Sequence, residues 1–280
     1  MNQITHSNNI TTELNGTGLF LESVVYNLLI KNSEYKVLRE EPYSGYTSES
    51  FEGVIDILLV KLLQSAGRII CLTIECKKAD LAQKKWVIER WIKPDESNYP
   101  FDYYEAGVNN FNFNKNIFFP SLGYGGMKFF DQGIQTFEFN ESLGKLSRNQ
   151  GERPYLALRQ ANEAISSFVD ERKNRIYEIL GVNFRQYDIL FIPVVITTAD
   201  LLLLDYDPEK IDLSRGEIDI KEVKLNPKDW VHYEFPLPYS LRTRAQGGLG
   251  PVKRPSFIVS AEKCEEFVTK LMKDSESYVL

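Results

Sequence analysis

Apolar positions recur at helical spacing over residues 19–31, which predicts a helix with Phe20, Val24, Val25, Leu28 and Leu29 on one side and Thr17 as its N-cap. The pattern then changes. Residues 53–63 and 68–76 are apolar at successive positions, as in strands buried on both faces, and Gln64-Ser65-Ala66-Gly67 between them has turn chemistry. An antiparallel hairpin of central strands is expected. A helix is predicted around residues 81–91, followed by loops and short elements rich in Gly, Asn and aromatics up to residue 150. Pro154 suits the first turn of a long helix over residues 154–180, closed by Gly181. Residues 187–197 read as another buried strand, and residues 200–222 as a strand plus an acidic, turn-rich surface segment. A Gly/Pro-rich loop over 241–255 precedes a strand at 256–260 and an amphipathic helix at 261–273.

This order implies an α/β fold in which helices flank a mixed sheet, with a large insertion and strand-helix additions at the C-terminal end. Residues 1–16 read as a polar tail, and residues 17–280 as one domain carrying an aromatic-rich insertion at about 80–150. No internal repeat interrupts that division.

Composition narrows the chemistry. The 280 residues include only two histidines, His6 and His232, too few for a three-His zinc site and poorly placed for a Ser-His-Asp relay. Cys71, Cys76 and Cys264 form no CxxC pair and leave an odd thiol, so a reduced, cytoplasmic protein is expected. The longest apolar run, residues 189–196, is too short for a membrane span, and residues 1–15 lack the form of a signal peptide. The net charge of −6 counts at first against a polyanion as substrate. Local sums weaken that objection: residues 77–93 carry six basic and two acidic side chains, while residues 1–60 carry three and eight.

Charged residues inside apolar strands are costly unless paired or metal-bound. Asp56 interrupts Val54-Ile55-Asp56-Ile57-Leu58, and Glu75 and Lys77 close Thr73-Ile74-Glu75-Cys76-Lys77. Glu75 and Lys77 share a strand face while Cys76 faces the other way. If the two strands pair through the short turn, Asp56 lies across from Glu75 and Lys77. Paired carboxylates are hard ligands suited to Mg²⁺, and a lysine beside them can orient or deprotonate a water.

Asp56 followed, after 18 intervening residues, by Glu75-Cys76-Lys77 resembles the PD-(D/E)xK nuclease superfamily. The resemblance implies a restriction-endonuclease-like core of helix, three strands, helix and strand. It further implies hydrolysis of phosphodiester bonds, DNA as the substrate, Mg²⁺ (or Mn²⁺ in its place) as the metal, and a restriction or defence role. Asp56 and Glu75 would hold the metal and Lys77 would activate water. Glu22 on the first helix matches a further acidic position, as ligand or orienter, and Gln160 matches a glutamine found on the later helix. The proline that often precedes the first Asp is replaced by Ile55.

Other residues are candidate substrate contacts: Lys78, and Lys84, Lys85, Arg90 and Lys93 near Trp86 and Trp91 as a phosphate track. Arg242, Arg244, Lys253 and Arg254 make a second basic segment with no acidic member. The aromatics Phe111, Phe113, Phe118, Phe119, Phe129 and Phe130 suit a satellite core or a homodimer contact better than a base-stacking platform. Gly123, Gly125 and Gly126 lack the Lys-Ser/Thr of a phosphate loop. The rival reading is a catalytically weak module of the same fold that binds DNA or a protein partner.

Overall fold

Two strands joined by a four-residue turn anchor the molecule. β2 (Glu52–Leu63) and β3 (Arg68–Lys77) pair antiparallel from Ile57 opposite Ile74 to Leu63 opposite Arg68. The turn Gln64–Ala66 ends on Gly67 at φ 60, a left-handed conformation that costs glycine nothing, and the Gly67 N–H donates to Gln64 O. The computed structural model describes residues 17–44, 52–79, 85–90, 101–102, 104–106, 116–117, 122, 132–140, 145–147, 153–168, 173–183, 187–236 and 253–277.

Ahead of the hairpin come helix α1 (Leu19–Leu29) and β1 (Lys36–Ser44), which pairs antiparallel with β2. After it come β4 (Lys85–Arg90), the short β5 (Phe101–Asp102), β6 (Tyr104–Ala106) and β7 (Asn116–Ile117), then β8 (Gln132–Asn140) and β9 (Lys145–Ser147). Helices α2 (Arg153–Ser167) and α3 (Lys173–Leu180) lead into β10 (Asp188–Thr197), which runs parallel to β3 over its whole length. β11 (Asp200–Asp205), β12 (Lys224–Lys228), β13 (Trp230–Pro236), β14 (Lys253–Ser260) and helix α4 (Cys264–Ser277) complete the chain.

Three layers result around a mixed sheet. One sheet face packs Ile57, Leu59, Leu72 and Ile74 against Val25 and Leu29 of α1 and Phe267, Val268 and Leu271 of α4. The opposite face packs Leu58, Val60, Ile69 and Cys71 against Ala161, Ala164 and Ile165 of α2 and Ile176 of α3. β2 and β3 are internal strands, in line with their apolar character on both faces. Cys71, Cys76 and Cys264 are all free and buried, consistent with packing roles.

The rest of the sheet departs from expectation. Residues 85–90 form a strand where a helix was predicted. Basic and acidic side chains at 84, 85, 89 and 90 suit a helix surface, but Trp86 and Ile88 alternate in period two and are fully buried. β4 is held between β8, antiparallel, and β11, parallel, and those long-range partners override local preference. The insertion is therefore not merely an excursion of loops, because β8 is a nine-residue strand of the main sheet. Trp86, Ile88, Leu201, Leu203, Val231 and Phe235 share a third core cluster with Ala157 and Leu158 of α2.

Three smaller corrections concern element ends. The residues expected as one helix over 154–180 are described as two, α2 and α3, with 169–172 outside the described residues. β14 begins at Lys253 rather than 256, so Lys253 and Arg254 belong to a strand and not to a basic loop. In α1 the core-facing stripe is Val25 and Leu29, buried, with Leu21 and Tyr26 partly buried beside them, while Phe20 and Val24 face out. The N-cap is Gly18, one residue after Thr17, whose Oγ1 accepts from Leu19 N at 3.4 Å. No helix among the described residues is long and apolar enough to cross a membrane.

Candidate active site

The regular pleat fails at one point in the β1–β2–β3 meander. Ile57 and Leu59 pack on the α1/α4 face, and Ile55 should join them by alternation, yet it packs with Tyr43, Leu58 and Val60 on the α2 face. The switch falls at Asp56. On β1 the register places Glu40 between the pairs Arg39–Ile57 and Glu41–Ile55, and Glu40 has φ 53, the one positive φ outside glycine among the described residues. A glutamate gains nothing from that conformation, so the surrounding strands impose it.

The same break frees Asp56 for a different bond. Ladder pairing of β2 with β3 ends at Ile57–Ile74, and the Asp56 carboxylate then accepts the Cys76 N–H through Oδ2 at 2.7 Å. The Asp56 N–H in turn is directed at the Glu75 carboxylate. One residue further, Lys77 Nζ donates to Glu75 Oε1 at 2.5 Å. Asp56, Glu75 and Lys77 therefore converge where the pairing of two buried strands ends, as their positions in the sequence suggested.

Their electrostatics follow from burial. Glu75 is 1 % exposed, and desolvation, with the Asp56 charge as the next cause, pushes its pKa up to about 7. Burial also raises Asp56, against the Cys76 N–H and the Lys77 charge, which lower it. Glu75 Oε2 is buried and lacks a hydrogen-bond partner among the described residues. A buried carboxylate oxygen without a partner is costly, and a divalent cation would satisfy it. Two carboxylates with water and phosphate oxygens completing the shell is a donor set that suits Mg²⁺. Among the described residues, no group of three or more His, Cys, Asp or Glu side chains stands together as a larger ligand set.

Glu22 reaches the neighbourhood but is engaged elsewhere. Its Oε1 accepts from Arg39 Nε at 2.5 Å, and Arg39 lies close enough to Asp56 to act on its charge. Arg39 was not apparent in the sequence, because its partner is 17 residues away on another element. On the α2 side, Tyr43 hydrogen-bonds Glu163, whose Oε1 accepts from Arg159 Nε at 2.6 Å, and both Tyr43 and Glu163 are buried. A Cβ on Gly53 would come within 2.4 Å of the Tyr43 ring, so this glycine is where the ring crosses β2. An isolated glycine within an apolar strand is the one sequence signal that pointed there.

The other predicted contacts divide. Lys78 follows the site directly, its carbonyl accepting from Arg153 Nη1. Gln160 is half-buried on α2, three residues before Glu163. Lys85 begins β4, and Arg90 ends it in an ion pair with Asp205 at 3.0 Å, not in an open phosphate track. Arg254 is also removed from the candidate contacts, since it is buried with Nη1 donating to Asn162 O at 2.8 Å. Lys84, Lys93, Trp91, Arg242, Arg244, the six insertion phenylalanines and Gly123, Gly125 and Gly126 lie outside the described residues. His232 is in the core against Phe257, and burial drives its pKa down to about 3.

Comparison with known proteins finds no matching family model, no matching curated protein and no matching solved structure.

Proposed function

We propose that this chain is a divalent-metal-dependent phosphodiester hydrolase acting on nucleic acid, with DNA as the substrate that the PD-(D/E)xK resemblance implies. One observation carries the reading: Asp56 and Glu75 are held together where the ladder between two apolar strands ends, with Glu75 Oε2 buried and unsatisfied among the described residues. The order α1, β1, β2, β3, then α2 and β10 once β4–β9 and α3 are set aside as insertions, supports it, since it is the element order of that superfamily's core.

Asp56 and Glu75 would hold the ion. When bound, Mg²⁺ or Mn²⁺ supplies charge stabilisation at the attacked phosphate and a more acidic water. Lys77, fixed on Glu75 Oε1 and 27 % exposed, is placed to orient that water and accept a hydrogen bond or proton only after losing its own, so its first role is orientation. Cys76 contributes its backbone N–H, which fixes Asp56, while its side chain stays in the core.

The test is calorimetric titration of Mn²⁺ and Mg²⁺ into the chain, compared with Asp56→Asn and Glu75→Gln. Binding by the parent and at least tenfold weaker binding by either variant is expected. Equal heats for all three contradict the proposal and favour the rival, a fold-related module whose ion pairs Lys77–Glu75 and Arg39–Glu22 offset most of the cluster's charge without metal.

A further inference from the structure

We propose, resting on the hydrolase reading, that Arg39 is the backbone-phosphate clamp of this site and that Glu22 positions it instead of ligating the metal. Arg39 and Glu22 meet through a single described bond, Nε to Oε1, which leaves both terminal nitrogens of the guanidinium without a partner among the described residues. The Arg39 side chain is 30 % exposed and that of Glu22 only 13 %, so the carboxylate is the buried anchor and the guanidinium the accessible end. A planar fork with its Nε fixed and its two terminal groups presented is the donor geometry that takes two oxygens of a phosphate.

Charge balance points the same way. With Glu75 ionised, Glu22, Asp56 and Glu75 against Arg39 and Lys77 leave one net negative charge, which repels a phosphodiester. A bound divalent ion turns that into one net positive charge, matched to one phosphate group. Arg39 adds its charge to the Asp56 neighbourhood from the α1 face, where Glu22 holds it, while Lys77, which acts more strongly on Asp56, is hydrogen-bonded to Glu75. The strand position fits as well. Arg39 precedes Glu40, whose φ of 53 marks the point where β1 leaves its regular pleat beside Asp56.

The experiment reads binding apart from turnover. The full chain is titrated with fluorescently labelled duplex and single-stranded oligonucleotides in Ca²⁺, followed by anisotropy at several salt concentrations, for the parent, Arg39→Ala, Arg39→Gln, Glu22→Ala and the Arg39→Ala/Glu22→Ala pair. Arg39→Ala should weaken binding about tenfold and reduce the salt slope by about one. Arg39→Gln, which can still donate to Glu22, should lose the same salt dependence with its thermal midpoint unchanged. Glu22→Ala should weaken binding in the parent and not in the Arg39→Ala background, the signature of a residue acting through another. Mn²⁺ affinity measured without nucleic acid should be unchanged in Glu22→Ala. Unchanged affinity and salt slope in Arg39→Ala overturn the clamp, as does a parent chain that binds neither oligonucleotide. Loss of Mn²⁺ affinity in Glu22→Ala returns Glu22 to the ligand set and overturns its positioning role. Absence of cleavage by the parent in Mg²⁺ bears on the hydrolase reading alone, because none of these measurements needs turnover.

Discussion

Glu75 is where function and stability pull against each other. Its raised pKa means that the folded chain holds a proton more tightly than the unfolded chain does. The sign follows: that contribution to stability is present at acid pH and is lost as pH rises from the ordinary glutamate value through about 7. Glu75→Gln should therefore raise the metal-free stability at pH about 8 by an amount of order 2 kcal/mol, with the gain shrinking towards pH about 5. Thermal melts at the two pH values, in chelator, check this; a gain independent of pH would contradict it. Metal affinity should move the opposite way, rising with pH through about 7 because ligation needs the carboxylate. Gly53 makes a second residue-scale case. Gly53→Ala would drive a methyl into the Tyr43 ring and should cost about 1–3 kcal/mol in chemical denaturation, whereas in a Tyr43→Ala background, itself destabilised, the further step Gly53→Ala should cost much less.

At the scale of elements, the β2–β3 hairpin could be read from sequence because its information is local: two apolar runs, a four-residue turn and a glycine at its end. Asp56, Glu75 and Lys77 could be read for the same reason, since one hairpin carries all three. β4 and β8 could not, because each is a strand only by virtue of partners brought from distant parts of the chain. Arg39 and Glu163 were hidden likewise, as their bonds to Glu22 and Tyr43 join separate elements. The exposed Phe20 and Val24 of α1 show the limit of periodicity, which finds an apolar helix face without saying how the helix will be turned on the sheet. The strand assignment of β4 has its own test. Ile88 is fully buried in one core cluster with Leu201, Leu203 and Val231, so Ile88→Ala should cost about 2–5 kcal/mol of stability, a loss that an exposed side chain at this position would not show.

On the scale of the whole molecule, the net charge of −6 is an average over opposed regions, with three basic and eight acidic side chains in residues 200–222 against the basic excess of residues 77–93. Part of the acidity belongs to the cluster proposed to bind metal, so nucleic-acid affinity should rise when Ca²⁺ is added and fall on chelation, by anisotropy at constant ionic strength. The mixed sheet with helices on both faces gives that cluster a rigid support, since β3 is paired with β10 along its whole length and with β2 from Arg68 to Ile74. The most direct test of the central claim is incubation of supercoiled plasmid with the parent chain, Asp56→Asn and Lys77→Ala, each purified in the same way, in Mg²⁺ and in EDTA. Nicking or linearisation by the parent in Mg²⁺, abolished by EDTA and reduced at least a hundredfold in both variants, is the predicted result; equal activity in parent and variants, or none in the parent with either Mg²⁺ or Mn²⁺, would contradict it.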